Sequence, residues 1–167
     1  MNILAIDIGT TTGWARSSRA GTPWATCISG SAKFAPRRTE QAGHRWIKFR
    51  AFLAEQRLQA GDIHAVYYED VKQHAGTLAA HVYGGFLAML EMWCAANNVP
   101  LHPVGVGVVK KHWTGKGNAD KDRMVAEAER RGFRPADNNE ADALAILSLA
   151  QHLEGTKAQA DLLGRAA

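Results

Sequence analysis

The sequence predicts an α/β fold: a mixed sheet, opening as a three-stranded antiparallel meander and continuing with parallel strands, flanked by helices. Three observations predict it. Strand-like segments come first, separated only by turns. Apolar strand patterns then alternate with helical ones. The chain has 167 residues, 46% of them hydrophobic, which suffices for one well-buried domain and is too little for two substantial ones. No internal repeat or linker divides it.

Each element has its own signal. Residues 2–8 contain the apolar run Ile3-Leu4-Ala5-Ile6 and read as a buried strand. Gly9 marks a tight turn, after which Thr12 to Ala15 begin a second strand. Trp24 to Phe34 mixes apolar with small polar residues, as a third antiparallel strand does. Beyond Pro36, Trp46, Phe49, Leu53 and Leu58 recur at helical spacing, with Arg45, Lys48, Arg50 and Glu55 between them; this is an amphipathic helix ending at Gly61. Ile63 to Val71 reads as a strand central to the sheet.

A long helix is expected from about Thr77 to Asn97, with Leu78, Val82, Phe86, Leu90 and Trp93 on its apolar stripe. Pro100 to Val108 reads as another strand, and Asp120 to Arg131 as a charged surface helix stopped by Gly132. The last helix is expected from about Asn138 to Leu153. The polar residues beyond Gly155 read as a frayed helix or loose tail, so the domain is assigned to residues 1–155 and the tail to 156–167.

Composition narrows the function. Twenty Lys and Arg against sixteen Asp and Glu give a formal charge of +4, and Lys110, Lys111, Lys116 and Lys121 crowd one stretch. This favours a nucleic-acid partner over an acidic small molecule. There is no charged leader, and no apolar run approaches the roughly 20 residues of a membrane span, so a cytoplasmic protein with no membrane partner is expected. Cys27 and Cys94 form no C-x-x-C pair, which argues for structural thiols rather than a disulfide scaffold or zinc site.

Asp7 is the residue around which a site can be built. It ends the first strand pattern and leads into Ile8-Gly9-Thr10-Thr11-Thr12-Gly13. A carboxylate at a strand end, beside a turn that admits close backbone approach, suits a metal or phosphate site. Glu69 follows Val66-Tyr67-Tyr68, and Asp142 lies just inside the last helical pattern among Ala141, Ala143, Leu144 and Ala145. Taken singly, each has a plain alternative: a turn acid, a solvent-facing strand residue, a solvated helix face. Together, three distant segments could converge on one divalent cation.

Ala5-Ile6-Asp7-Ile8-Gly9, Tyr67-Tyr68-Glu69-Asp70 and Asn139-Glu140-Ala141-Asp142-Ala143-Leu144-Ala145 resemble the RuvC family of Holliday junction resolvases, especially its phage-encoded branch, over about residues 2 to 153. The resemblance implies an RNase H-like nuclease domain that uses two Mg²⁺ or Mn²⁺ ions. It also implies a homodimer that nicks opposing strands of a four-way DNA junction, in a bacterial or phage-infected host cytoplasm. Phosphodiester hydrolysis needs an activated water and a neutralised leaving oxygen, which two cations about 3.5–4 Å apart supply. By resemblance Asp7 bridges both ions, Glu69 holds one and Asp142 the other.

The family's fourth acid falls here on Asn139, whose amide oxygen can coordinate without adding charge. Glu140 is a possible substitute ligand. Asp137-x-x-Glu140, however, also fits a capping box, and on a regular helix Glu140 lies about 200° from Asp142. Lys110 and Lys121 match two basic residues that support cleavage in the family. Lys110, Lys111, Lys116 and Lys121 are candidate DNA contacts, with His74 and Thr77 near the start of the long helix; His81 and Tyr83 could contact DNA or complete the core. Trp113, amid lysines, is a candidate for stacking on an unpaired base.

Two other functions fit parts of the pattern. Asp-Ile-Gly-Thr-Thr-Thr resembles the phosphate hairpin of actin-like and sugar-kinase phosphotransferases, which need two such lobes where this chain holds one. A module that binds branched DNA without cutting it is prompted by Asn139. RNA-processing relatives of the resolvases would share the acids and prefer RNA.

Overall fold

The computed structural model describes residues 1–17 and 27–164, with side chains to residue 160. Its elements run β1 (Ile3–Asp7), β2 (Thr11–Ser17), β3 (Cys27–Lys33), α1 (His44–Ala60), β4 (Ala65–Asp70), α2 (Thr77–Ala96), β5 (Leu101–Gly105), α3 (Val106–Thr114), α4 (Lys121–Arg130) and α5 (Asn138–Gly164). The sheet order is β3-β2-β1-β4-β5. The first three strands pair antiparallel, whereas β4 joins β1, and β5 joins β4, in parallel. This is the predicted meander followed by parallel strands. The part of the expected third strand from Trp24 to Thr26 lies outside the described residues.

Side chains alternate across the sheet and split the core in two. Ile3, Ala5, Ala15, Ala65, Tyr67 and Val104 meet α3, α4 and α5 on one face. Leu4, Ile6, Ile8, Val66 and Tyr68 meet α1 and α2 on the other. In α1 the buried residues are Phe49, Phe52, Leu53 and Gln56; Leu58, expected on the stripe, is 85% exposed. At about 100° per residue it lies roughly 140° to 200° round the helix from Phe49, Leu53 and Gln56, and so faces solvent. Leu78, likewise expected to be buried, is 77% exposed in the first turn of α2, ahead of Phe86, where that helix meets the core.

α3 is the element that sequence patterning misses. Val104-Gly105-Val106-Gly107-Val108 alternates β-branched residues with glycine and reads as a strand, but β5 stops at Gly105. The residues actually buried beyond it are Val109 and Trp113, four apart. Gly115, in the left-handed conformation at φ 79°, ends the helix, its N–H donating to Lys111 O at 2.9 Å.

α5 is longer than expected. It continues to Gly164 instead of loosening after Gly155, and its second half is fastened to the sheet. The Tyr67 hydroxyl donates to Glu154 Oε1 at 2.5 Å, and Lys157 pairs with the same carboxylate at 2.7 Å. α2 also differs from expectation, for it has the length and apolarity of a membrane-crossing helix. Scattered Ala and Gly around His81, Tyr83 and Glu91 disguise that run in the sequence. It packs Phe86, Leu90, Trp93 and Cys94 inward while much of its remaining surface stays open. Both cysteines are free thiols, with Cys94 buried.

Candidate active site

Asp7 is the last residue of β1, on the face that carries Ile3 and Ala5. The parallel register matches Ile6 with Tyr68, so the next residues along, Asp7 and Glu69, leave neighbouring strands on the same face. Asp70 points to the opposite face and pairs with Lys72 at 2.5 Å, which makes it the bystander of the two acids. On the other side of Asp7, β2 offers Gly13 as its register partner. A Cβ at Gly13 would stand 1.8 Å from the Asn139 carbonyl oxygen. The absence of a side chain at Gly13 thus lets the first turn of α5 settle directly onto the β1–β2 pair, bringing Asp142 in from above.

That first turn is held by a capping box extended onto the edge strand. Asp137 Oδ1 accepts the Glu140 N–H at 2.9 Å and the Ser31 hydroxyl at 2.6 Å. Glu140 returns one oxygen to the Ala136 N–H at 2.7 Å and takes the Ser29 hydroxyl on the other at 2.6 Å. Glu140 is therefore corrected from possible metal ligand to structural brace, since both carboxylate oxygens are committed away from Asp142. Asn139 is half-buried beside Asp137. Burial works against ionisation of Asp137, but the Ser31 hydroxyl, the Glu140 N–H and Asn139 together hold its carboxyl below the usual range.

The acids share one electrostatic field. Burial pushes Asp7 well above the usual carboxylate range; Glu69, Asp142 and more weakly Asp137 add to the rise, and Lys121 opposes it. Burial and Asp142 raise Glu69 to about 7 against the pull of Lys110. Asp142 is raised by burial too, with Lys110 and Lys121 opposing. Three carboxylates on two strands and a helix, with two lysines beside them, thus form one coupled group.

Among the described residues, no three His, Cys, Asp or Glu side chains form a ready-made metal site. The donor chemistry nevertheless fits a hard divalent cation: oxygen ligands, partial burial and mutual repulsion that a positive ion would relieve. Asp7, Glu69 and Asp142 are the residues that would hold it.

The basic residues divide. Lys110 on α3 donates to Ala119 O at 2.7 Å, and its charge favours the ionised forms of Glu69 and Asp142. Lys121 opens α4 behind the Asp120 N-cap, and its charge favours the ionised forms of Asp7 and Asp142. Lys111 and Lys116 are exposed. Trp113 is corrected: it is 2% exposed, its Nε1 donates to Met124 O at 3.1 Å, and the Arg131 guanidinium lies 3.9 Å from its ring centroid. Buried as it is, it cannot stack on a base.

On the other side of Asp7 an open groove of about 710 Å³ runs past Ile8, Gly9 and Thr10 to Arg45, His74 and Tyr83. His74 is half-buried there, its ring 4.7 Å from that of Tyr83, while Thr77 is exposed at the start of α2. Tyr83 carries a structural role that spacing alone could not reveal. Its hydroxyl donates to Glu69 O at 2.9 Å and accepts the Val71 N–H at 3.2 Å. Burial pushes its phenol up to about 12, so it stays protonated as a donor.

No protein-family model matches the sequence, and a search of curated proteins finds no relative. Solved structures do match. Thermus thermophilus RuvC in complex with a Holliday junction substrate superposes with a TM-score of 0.74 at 23% identity, over 89% of this chain and 91% of that one. A second T. thermophilus RuvC structure gives 0.71 at 23% identity, over 93% and 97%. The yeast mitochondrial Holliday junction resolvase Ydc2 gives 0.58 at 15% identity, over 87% and 75%. Sheet order, helix placement and these superpositions together establish that the chain has the RNase H-like fold of RuvC.

Proposed function

We propose that this protein is a crossover-junction endodeoxyribonuclease, a Holliday junction resolvase that hydrolyses DNA phosphodiester bonds by paired nicks at branched DNA. The observation that carries the reading is the coupled set of Asp7, Glu69 and Asp142, flanked by Lys110 and Lys121, within a fold shared with solved RuvC structures. Mg²⁺ or Mn²⁺, two ions per site, is the cofactor proposed, held by Asp7, Glu69 and Asp142, with the Asn139 amide oxygen as a further candidate. When bound it would supply a nucleophilic water near neutral pH and neutralise the leaving oxygen. The chain's own groups do the rest. The carboxylates orient the attacking water, and Lys110 and Lys121 offset charge building on the phosphate. Exposed Lys111 and Lys116 follow the backbone, with His74 and Thr77 meeting DNA beyond the groove.

Paired nicks call for two sites, and the open face of α2 supports a homodimer. Thr77, His81, Gly84, Ala88, Met92 and Ala95 are exposed along one side of that helix, a largely small and apolar strip suited to close helix packing. The likeness of the segments around Asp7, Glu69 and Asp142 to the phage-encoded branch supports a phage-type source and work in a bacterial or phage-infected cytoplasm.

A labelled four-way junction incubated with Mg²⁺ tests the proposal, with symmetric nicks as the expected result. Asp7→Asn should lower the nicking rate by at least about 100-fold while leaving junction affinity within a few-fold, because lysine–phosphate contacts supply most of the binding. Normal cutting by Asp7→Asn would overturn the metal assignment. Retarded but uncut junction with the unaltered protein would instead favour a non-cleaving binding module, the reading that Asn139 in place of an acid supports.

A further inference from the structure

Glu69 is flanked by a strand partner on one side only. β4 is registered with β1 only as far as Tyr68 and ends at Asp70, so Glu69 lies just past the last β1 partner. On the other side β5 pairs Glu69 with Val104 and Asp70 with Gly105, which leaves the β1 side and the turn out of the strand to be held by something else. The Tyr83 side chain does that. From the second turn of α2, the Tyr83 hydroxyl spans the carbonyl of Glu69 at 2.9 Å and the amide of Val71 at 3.2 Å. It both donates and accepts, occupying two backbone groups that would otherwise turn to water.

The same ring connects outward. It lies 4.7 Å from the His74 ring in the segment that joins β4 to α2 and lines the groove beside Gly9 and Thr10. A single tyrosine thus touches the backbone of one acid, the segment beside the groove and the helix with the open face.

We infer that Tyr83 is a positioning residue: its hydroxyl, bridging Glu69 O and Val71 N–H, fixes the path of the chain through Asp70 and thereby the aim of the Glu69 carboxylate toward Asp7 and Asp142. The inference rests on the proposed metal-nuclease reading for its consequence and on the two hydrogen bonds for its geometry. Groups that orient metal ligands typically alter affinity or activity by about 10–100-fold when removed. Phenylalanine keeps the ring, its contact with His74 and its packing, and deletes only the bridge.

The test compares Tyr83→Phe with the unaltered chain in three measurements. Mn²⁺ affinity, read by calorimetry without DNA, should fall about tenfold. Junction nicking should need a correspondingly higher Mn²⁺ or Mg²⁺ concentration for half-maximal rate, with junction affinity in metal-free buffer within twofold. Amide exchange at Val71, followed by NMR in the unaltered protein, should be slow for a residue beyond a strand end, and should become fast in the variant. Unchanged Mn²⁺ affinity with unchanged metal dependence would overturn the inference. So would rapid Val71 exchange in the unaltered protein, a result that needs no folded variant. Failure of the unaltered protein to nick any junction would strike the nuclease reading instead, leaving the Mn²⁺ and exchange measurements to decide the role of Tyr83.

Discussion

The two faces of the sheet are built from different materials. Toward α5 the packing residues include, beside Ile3, Tyr67, Val104, Leu144 and Leu147, a run of small ones: Ala5, Ala15 and Ala65 from the strands and Ala141, Ala143, Ala145 and Ala150 from the helix. Toward α1 and α2 they are aromatic: Phe34, Phe49, Phe52 and Phe86 form a cluster with ring centroids 5.0 to 6.2 Å apart, with Trp46 at its edge. Bulky rings hold their helices off the sheet and bury much area per residue. Alanines bury little but let a helix backbone come close. The three acids lie on the alanine face, so one face contributes chiefly stability and the other chiefly proximity.

Substitutions can break that division. Phe86→Ala, in the middle of the aromatic cluster, should destabilise the protein by about 3–5 kcal/mol, measured by denaturant titration, yet leave Mn²⁺ affinity within about twofold where the protein is still folded. A large loss of metal affinity in the folded variant would show that the aromatic cluster as a whole, and not the Tyr83 bridge alone, links that face to the acids. Gly13→Ala on the other face adds one methyl group and should cost about 3 kcal/mol, at the upper end of overpacking effects, because the obstacle is the Asn139 backbone rather than a movable side chain. It should also lower nicking more than tenfold by lifting Asp142, with junction binding less affected. A variant that is stable and active would refute the close approach of α5.

A smaller effect sharpens the electrostatic side. Glu69 binds its proton more tightly in the folded protein, up to about 7 through burial and Asp142, than in the unfolded chain. Its contribution to stability is therefore fully present below about pH 4.5 and is lost as pH rises through about 7. In metal-free buffer Glu69→Gln removes that loss. Relative to the unaltered chain, the variant should gain about 1–2 kcal/mol between pH 5 and pH 8, allowing for partial solvent screening. Thermal melts at the two pH values measure the gap, and a gap independent of pH would mean that Glu69 is ionised without strain.

How much of this was legible in the sequence differs by face and by element. β1 and β4 carry dense apolar runs, so their burial in the sheet could be read directly, whereas choosing Glu69 over the adjacent Asp70 as the partner of Asp7 took the resemblance to RuvC. Asp142 was legible because an acid among alanines is unusual. α3 was not, since Val-Gly alternation imitates a strand and only the tertiary burial of Val109 and Trp113 decides for a helix. Trp113 misled for a related reason: its lysine neighbours in sequence point to solvent while it points inward under Arg131. Glu140 and Asp137 matched the capping pattern, but the serines of β3 that complete the brace lie more than 100 residues away. The role of Tyr83 depends on a contact with backbone atoms, to which side-chain patterning is blind.

The 27-residue α5 forms a rod about 40 Å long, tied at its first turn to Ser29 and Ser31 and farther along to Tyr67. Tyr67 belongs to the strand that bears Glu69, two positions away. Rod and strand are therefore cross-braced, as a gate is by its diagonal. Carboxylates that repel one another cannot drift apart by swinging α5 aside, and the repulsion stays available to draw in positive charge.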